Sequence, residues 1–125
     1  MRQVTIHNKS HPLKQPIQAC FCDTFFCRLK GLMFSHVISS ETGLLLVESR
    51  DSRLDAAIHM FFVNYDLAII WINGQKQVVD KRVAYRWRPF YMPAAPARYI
   101  LEIHPDHIQD FYIGDIIDFR DEQIN

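Results

Sequence analysis

The chain has 125 residues, of which 49% are hydrophobic and 22% are charged, and its formal net charge is zero. This length and composition favour one globular domain with a single hydrophobic core. The zero net charge argues against generic binding to nucleic acid or to an anionic membrane surface. No apolar run approaches the roughly 18 residues of a membrane-spanning helix, and the N-terminus has no signal-like apolar stretch. We therefore expect a cytoplasmic protein without a membrane partner.

Short apolar segments separated by turn-forming residues predict a β-rich fold. Strands are predicted in the segments RQVTIHN, IQACFC, GLLLVES, AIHMFF, LAIIWI, KQVVDKRVAY, RYILEIH and IIDF. LAIIWI is apolar throughout, which is typical of a strand buried on both faces. Asn73-Gly74 predicts a type I′ hairpin turn directly after it. The charged segment SRDSRLD and the proline-rich segment RPFYMPAAPA are predicted to be loops.

Two short helices are predicted among these strands. Asp23-Thr24 is a suitable N-cap, and apolar residues at helical spacing continue that helix to about Phe34. Pro105 and Asp106 favour a second helix start, and Gly114-Asp115 predicts a turn before the last strand. The elements together predict an α+β, mostly β fold. We expect one domain over residues 1–125, with a single small barrel-like sheet, antiparallel or mixed, and two short helices.

Several of these segments occur in an order that resembles a known family. RLKGLMF, GLLLV, IHMFF, LAIIWINGQKQVVD, YILEI and IGDIIDF together resemble the domain-of-unknown-function family 192, a small bacterial and archaeal β-rich domain. The resemblance runs from about residue 18 to residue 119. It implies a β-rich fold and names no activity. It also maps the family's Arg-x-x-Gly-Leu-Met signature onto Arg28, Gly31, Leu32 and Met33.

The resemblance also maps a histidine-aromatic motif and a glycine-aspartate turn onto this chain. The motif falls on Ile58, His59, Phe61 and Phe62, and the turn on Gly114 and Asp115. The family's acidic position before the LAIIWI strand is Ala68 here, while Asp66 stands two residues earlier. In an extended strand both positions point to the same face, so Asp66 either replaces the family's carboxylate or has a different role.

Five residues are candidates for a ligand site: Arg28, His59, Phe62, Asp66 and Arg86. An arginine can hold a carboxylate or phosphate through two hydrogen bonds, whereas the structural alternative for Arg28 is a pair with a nearby acid. His59 could bind a ligand or move a proton at neutral pH, or could instead be a partly buried histidine bonded to the backbone.

The segment KRVAYRWRPFY alternates basic and aromatic residues. Such a mixture is typical of grooves that bind single-stranded nucleic acid. The alternative is a strand that buries Tyr85 and Trp87 and exposes Arg86 and Arg88. Surrounding charge is uneven, because residues 81–101 carry five basic residues and residues 102–125 carry seven acids. We expect these segments to be neighbours that neutralise each other at the surface.

The three cysteines and the histidine pair do not predict a metal site. Cys20-x-Cys22 with Cys27 lacks the paired spacing of a zinc site, so we expect structural free thiols, with a disulfide left open. His104 and His107 fit a polar helix cap better than a metal site. No phosphate-binding glycine loop, nucleophile elbow or metalloprotease motif is present. We therefore predict no metal, no required cofactor and no recognisable catalytic motif.

The leading functional hypothesis is a non-enzymatic binding module for a small polar or anionic ligand. Its pocket would contain His59, Phe62 and neighbouring aromatics, with Arg28, Asp66 or Arg86 supplying charge. The alternatives are a protein-interaction domain that docks through the Pro/aromatic loop 88–98, a weak single-stranded nucleic-acid binder, and an unrecognised hydrolase using His59 and Asp66.

Overall fold

The protein is described by a computed structural model over residues 2–24, 27, 39–61 and 63–121. In these ranges the chain forms seven strands joined mostly by turns and irregular loops. The strands are β1 (Gln3–Asn8), β2 (Ile17–Cys22), β3 (Thr42–Ser52), β4 (Leu67–Ile72), β5 (Val78–Ala84), β6 (Ala97–Ile103) and β7 (Ile117–Arg120).

All seven strands form one sheet in the order β5-β4-β6-β3-β2-β1-β7. β2 and β3 run parallel, and the other neighbouring pairs are antiparallel. The mostly β character and the mixed sheet are therefore confirmed. β4 is buried at every position, as its continuous apolar sequence predicts, because it lies between β5 and β6 with packed residues on both faces.

The sheet curls into a half-barrel whose two edge strands meet. Gln77, just before β5, forms an isolated bridge with Ile116, just before β7. Beside it the Gly114 N–H donates to the Val78 carbonyl (2.8 Å) and the Ile117 N–H donates to the Lys76 carbonyl (2.8 Å). Residues 114–117, called the closing segment here, thus satisfy backbone groups that an open sheet edge would leave unpaired.

The inner face of the curl holds one of two hydrophobic cores. All seven strands contribute to this inner core, with Val4, Ala19, Leu45, Ile70, Val78, Leu101 and Ile117 as members. The outer core packs the other face of the central strands against the loops around residues 56–63 and Tyr91. Trp71 is fully buried there, and its indole N–H donates to the Ala56 carbonyl at 2.8 Å.

Asp115 fixes the closing segment in place. Its buried carboxylate accepts hydrogen bonds from the Asn8 side chain (2.8 Å) and the Tyr112 N–H (2.9 Å), and it lies 2.8 Å from His11 Nδ1. Burial by itself would raise the pKa of Asp115, but these hydrogen bonds outweigh burial and lower the pKa below its ordinary value. Gly114 has a φ of +95°, which glycine adopts without a steric penalty.

Two predicted segments have a different structure. AIHMFF is not a strand: Ile58 makes only an isolated bridge with Tyr91, and the neighbouring described residues form loops and turns. The charged segment after GLLLV is not entirely a loop, because β3 continues to Ser52. Pairing with β6 supports this extension after an irregularity between Val47 and Ser52, which shows that tertiary pairing outweighs local composition here.

The hairpin predicted at Asn73-Gly74 joins β4 and β5, but its turn is not type I′. The positive φ (67°) falls on Lys76, and Gly74 has no positive φ. The Lys76 N–H donates to the Asn73 carbonyl at 3.0 Å. Gly74 contacts Asp51 instead: its N–H donates to that carboxylate at 2.7 Å, and an added Cβ would lie 3.2 Å from it, a tight contact.

The two predicted helices have different outcomes. The second is a 3₁₀ helix, Pro105–Asp110, capped by the His104 side chain, which accepts from the Asp106 N–H. The first lies almost entirely outside the described residues. Thr24 does accept a hydrogen bond from the Cys27 N–H (3.2 Å), as an N-cap would. Two short helices are therefore not confirmed.

Glu102 is a buried carboxyl group at the centre of the sheet. It lies on β6 with Leu44 and Ile69 as its cross-strand neighbours, and it is 5% exposed. Burial raises the pKa of Glu102 to about 7, because its ionised form loses hydration in the core. The sequence had placed this acid in a charged surface segment, which is wrong.

We predict that Asp115→Asn lowers the free energy of unfolding at pH 7 by about 2 to 4 kcal/mol, because the new amide directs a donor towards existing donors. The stability that Asp115 contributes is present above its unfolded-state pKa of about 3.8. It is lost as the pH falls through the lower folded-state pKa. Urea unfolding at pH 7 and in acid measures both effects.

Asp106→Asn is the matched control, because the Asp106 side chain is 84% exposed. This variant should unfold within about 0.5 kcal/mol of the original chain. Equal stability of the Asp115 and Asp106 variants would contradict the role given to Asp115.

Glu102→Gln should raise the free energy of unfolding at high pH but not at low pH. Glu102 itself thus destabilises the fold as the pH rises, whereas Asp115 loses its stabilising effect as the pH falls. Because folding raises the pKa of Glu102 from 4.5 to about 7, its neutral form is compatible with the fold at low pH. The free energy of unfolding then decreases as the pH rises from the unfolded-state pKa of Glu102 through its folded-state pKa. The variant should resemble the original chain near pH 4 and be more stable by up to about 3 kcal/mol at pH 8. Urea unfolding of both proteins at the two pH values checks this, and a pH-independent difference between them would contradict it.

Candidate functional site

The five sequence-predicted site residues are only partly described. Arg28 and Phe62 lie outside the described residues. His59, Asp66 and Arg86 lie in the loops that cover the outer core, before β4 and after β5. Of these, the structure brings Asp66 and Arg86 into direct contact.

Asp66 and Arg86 form a contact that holds a turn. The Arg86 backbone N–H donates to Asp66 Oδ1 at 2.9 Å, while its guanidinium Nε lies 4.0 Å from the same oxygen. The Arg86 side chain is largely open to solvent and that of Asp66 is partly so, with 65% and 36% of their areas exposed. The carboxylate therefore mainly binds backbone, and the exposed ion pair adds little stability.

His59 bonds locally to the backbone. Its Nδ1 accepts from the Phe61 N–H at 3.2 Å, and the two rings lie 5.7 Å apart. His59 makes no hydrogen bond to Asp66, so the structure does not assemble the histidine-aspartate pair that a hydrolase would use. Its role in ligand binding stays a prediction.

Asp66 does not stand in the position that the family's acid would occupy at Ala68. Ala68 is fully buried and belongs to the inner core. Asp66 precedes the first residue of β4 and bonds to the loop after β5. The two positions therefore do not share a strand face, because the extended backbone begins only at Leu67.

The pockets of the described residues lie elsewhere. One of them has a volume of about 460 Å³ and opens at one end of the inner core. Its walls include Phe21, Val47, Tyr99 and Phe119, which are inward-facing residues of β2, β3, β6 and β7. We call this pocket the barrel mouth. None of His59, Asp66 and Arg86 lines it.

Three cations surround the rings of the barrel mouth. The Lys76 ammonium lies 4.6 Å from the Phe119 ring centre and 5.3 Å from that of Tyr99. The Arg98 guanidinium lies 5.8 Å from the Tyr99 ring centre, and its Nε donates to the Glu48 carbonyl. The Arg2 guanidinium lies 3.9 Å from the centre of the Phe21 ring. Ring faces attract cations without neutralising them.

The carboxylates near the mouth are unevenly placed. Asp121, in the acidic segment 102–125, lies 3.9 Å from Arg2 near the N-terminus, so these two charges partly neutralise each other. Among the described residues, Lys76 and Arg98 have no carboxylate oxygen within 4.0 Å. Arg120, and more weakly Lys9 and Lys76, lower the pKa of Asp118 despite its partial burial. The positive field of Lys76 thus extends to groups around the mouth.

The turn Tyr85–Arg88 forms a second exposed region. Tyr85 and Trp87 are 53% and 49% exposed, so the prediction that a strand buries them is wrong. The Arg88 N–H donates to the Tyr85 carbonyl (3.2 Å), and Trp87 has a φ of +66°. The rings point outward because the strand β5 has already ended at Ala84.

The cysteines were predicted to be free thiols, and two are not. Cys22 and Cys27 form a disulfide with a Cα–Cα distance of 5.6 Å, and Cys20 is free. Both bonded cysteines line a pocket of about 240 Å³ that shares Arg2, Phe21 and Asp23 with the barrel mouth. In the described ranges, no group of three or more His, Cys, Asp or Glu side chains is placed to hold a metal ion.

Sequence reasoning missed the barrel mouth because its parts are distant along the chain. Arg2, Lys76, Arg98 and Phe119 come together only when the sheet curls. The available signal was the alternation of side chains between the two faces of β6. It places Tyr99 on the same face as Leu101 and Ile103. No helix in the described part of the chain is long and apolar enough to cross a bilayer.

The comparison with family models decides the classification. The model of DUF192, described as "Uncharacterized ACR", matches residues 4–119. The chain belongs to this family. The match includes β1, which the sequence resemblance had left outside, and it ends at Phe119 of β7.

Two related proteins are UPF0127 proteins of Thermococcus species. A UPF0127 protein of Thermococcus gammatolerans is 42% identical over 64% of this chain and 50% of its own length. A UPF0127 protein of Thermococcus sibiricus is 38% identical over 81% of this chain and 65% of its own length. The chain thus spans about half to two thirds of these relatives.

A solved structure shares the fold of this DUF192 domain. The protein of unknown function from Novosphingobium aromaticivorans DSM 12444 has a TM-score of 0.80, with 93% of this chain and 83% of that chain covered. Its sequence identity is 21%, so the likeness concerns the fold alone. The geometry of this chain must therefore carry any functional argument.

Proposed function

We propose that this DUF192 domain is a non-enzymatic binding module for a small anionic ligand with a flat apolar group, and that the barrel mouth is its site. The observation that carries the proposal is the position of the Lys76 ammonium and the Arg98 guanidinium at this pocket. Both cations are held over ring faces beside a pocket of about 460 Å³. Neither has a carboxylate within salt-bridge distance among the described residues, so their charge is available to an anion.

The backbone of Lys76 supports this reading. A lysine with positive φ costs about 1 kcal/mol relative to glycine. The closing segment holds it there, because the Ile117 N–H donates to its carbonyl. Strained non-glycine residues concentrate at functional sites. The strain here places an ammonium group at the mouth of the barrel.

The pocket walls match the apolar part of such a ligand. Phe21, Val47, Tyr99 and Phe119 are partly buried at the end of the inner core. Small-molecule sites are usually apolar hollows with a few placed polar groups, and barrel mouths are a common location. An anionic ring compound could direct its ring to these side chains and its charge to Lys76 or Arg98.

The five residues predicted from sequence remain a separate proposal. His59, Asp66 and Arg86 could still contact a ligand, with Arg28 and Phe62 completing the site. The local bonding of His59, Asp66 and Arg86 favours the barrel mouth as the better candidate. The hydrolase alternative is weaker for the same reason, since His59 and Asp66 bond to different partners.

The test uses naphthalene-2-sulfonate and its neutral analogue naphthalene-2-sulfonamide, titrated into the ¹⁵N-labelled chain. The sulfonate should shift the amide signals of Lys76, Tyr99 and Phe119 more strongly than the sulfonamide does. Lys76→Gly should weaken sulfonate binding by about tenfold, which is the effect of losing one charge-assisted contact. It should leave sulfonamide binding nearly unchanged.

Thermal unfolding of Lys76→Gly separates a binding role from a structural one. Glycine relieves the left-handed backbone strain, so the melting temperature should stay equal or rise. Lys14→Ala changes an exposed lysine that does not line the barrel mouth, so it is the control and should bind the sulfonate normally. The proposal would be refuted if the sulfonate shifted amide signals only away from the barrel mouth. It would also be refuted if Lys76→Gly bound the sulfonate as tightly as the original chain does.

A further inference from the structure

Four exposed rings lie on the two loops that cover the outer core. Phe61 is 44%, Tyr85 53%, Trp87 49% and Phe90 57% exposed. They are joined through backbone bonds between the two loops, where Met60 pairs with residues 87 and 88. We call these four residues the aromatic loop face. Monomeric proteins rarely expose several large rings together unless the surface binds a partner.

The backbone of Trp87 has a conformation that is unusual for a tryptophan. Trp87 is the third residue of the turn Tyr85–Arg88, and its φ is +66°. Glycine or asparagine is usual at such a position, because a Cβ is unfavourable there. About half of the tryptophan nevertheless stays exposed, while its indole N–H donates to Asn64 at 3.2 Å. The turn therefore holds a large ring at the surface at a backbone cost.

The loops form a preorganised platform. Ile58 and Tyr91 exchange two backbone hydrogen bonds of 2.9 Å. The Met60 N–H donates to the Arg88 carbonyl (3.0 Å), and the Trp87 N–H donates to the Met60 carbonyl (2.9 Å). The Tyr91 hydroxyl accepts from the Tyr85 N–H at 2.9 Å. A surface fixed in this way loses little conformational entropy when a partner binds.

The charges beside the rings are mainly positive. Arg86 has 65% of its side chain exposed, and the Arg88 guanidinium lies 5.7 Å from the Tyr85 ring centre. The Asp66 carboxylate accepts from the Arg86 N–H and lies 4.0 Å from the Arg86 Nε, so it offsets only part of this charge. Tryptophan, tyrosine and arginine are the residues most enriched at binding hot spots. Complementarity then requires a partner with carboxylates beside an apolar side chain.

We infer that the aromatic loop face docks an acidic segment of a partner protein that also carries a large apolar side chain. Trp87 would be the anchor, and Arg86 and Arg88 would contact the acidic residues. A protein segment is favoured over nucleic acid because the chain has zero net charge. Such a chain lacks the broad positive field that nucleic-acid binding uses. This surface consists of loop residues that do not line the barrel mouth, so it is independent of the proposed small-ligand site.

The experiment selects a displayed library of random twelve-residue peptides on the immobilised chain. Enriched peptides should carry several Asp or Glu residues and at least one large apolar residue. A synthetic copy of the most enriched peptide should bind in fluorescence polarisation and shift the amide signals of residues 85–90. Trp87→Gly should weaken it by about tenfold or more, and Arg88→Gln by a smaller factor that decreases with added salt.

Tyr112→Ala is the matched control, because Tyr112 is 52% exposed and lies outside the face. It should bind the peptide normally. Trp87→Asn, which also tolerates the left-handed conformation, should repeat the loss if Trp87→Gly unfolds.

Three results would overturn the inference. The first is a selection without acidic enrichment, or unchanged peptide binding by both Trp87 variants. The second is preferential binding of a twenty-nucleotide thymidine oligomer, which would assign the face to nucleic acid. The third is sedimentation of the chain as a dimer that either Trp87 variant dissociates, which would assign the face to a second copy.

Discussion

The carboxylate of Asp115 ties the closing segment to the end of β1, and the backbone of that segment bonds to residues 76–78 beside β5. It is buried yet ionised because donors reach it from the end of β1, from the following loop and from its own turn. A buried charge is tolerated when its hydrogen bonds are supplied in this way, and it then specifies one arrangement of its donors. The closing segment that it holds pairs with Lys76 and Val78, so the edges of β5 and β7 are satisfied where they meet.

The same closure places the proposed ligand site. Ile117 donates to the Lys76 carbonyl, and the Lys76 ammonium then lies over the rings of Phe119 and Tyr99. Lys76 and Trp87 are the described non-glycine residues with positive φ, and each presents a long side chain at a different surface. The two proposals therefore share a physical basis. In each, a strained backbone holds a side chain where recognition would use it.

The sequence predicts the strands well because alternation, apolar runs and turn residues are local signals. The burial of β4, the Gly114 turn and the cap of the 3₁₀ helix follow from such signals. The failures concern properties created by tertiary contacts. The AIHMFF segment bonds to the Tyr91 loop instead of joining the sheet, and Lys76 takes the positive φ expected near Asn73-Gly74. The burial of Glu102 and the assembly of the barrel mouth require the strand order, which no local pattern contains.

Amide hydrogen exchange tests most directly whether Asp115 closes the barrel. The N–H groups of Gly114, Ile117 and Val78 make the closing bonds, whereas that of Leu101 lies in the central strand β6. Exchange should be compared in the original chain and in Asp115→Asn under conditions where both remain folded. Our account predicts that the three closing amides lose protection by a larger factor than Leu101 does, because the closing segment opens locally. Equal changes at all four amides, or unchanged protection at the closing segment, would contradict it.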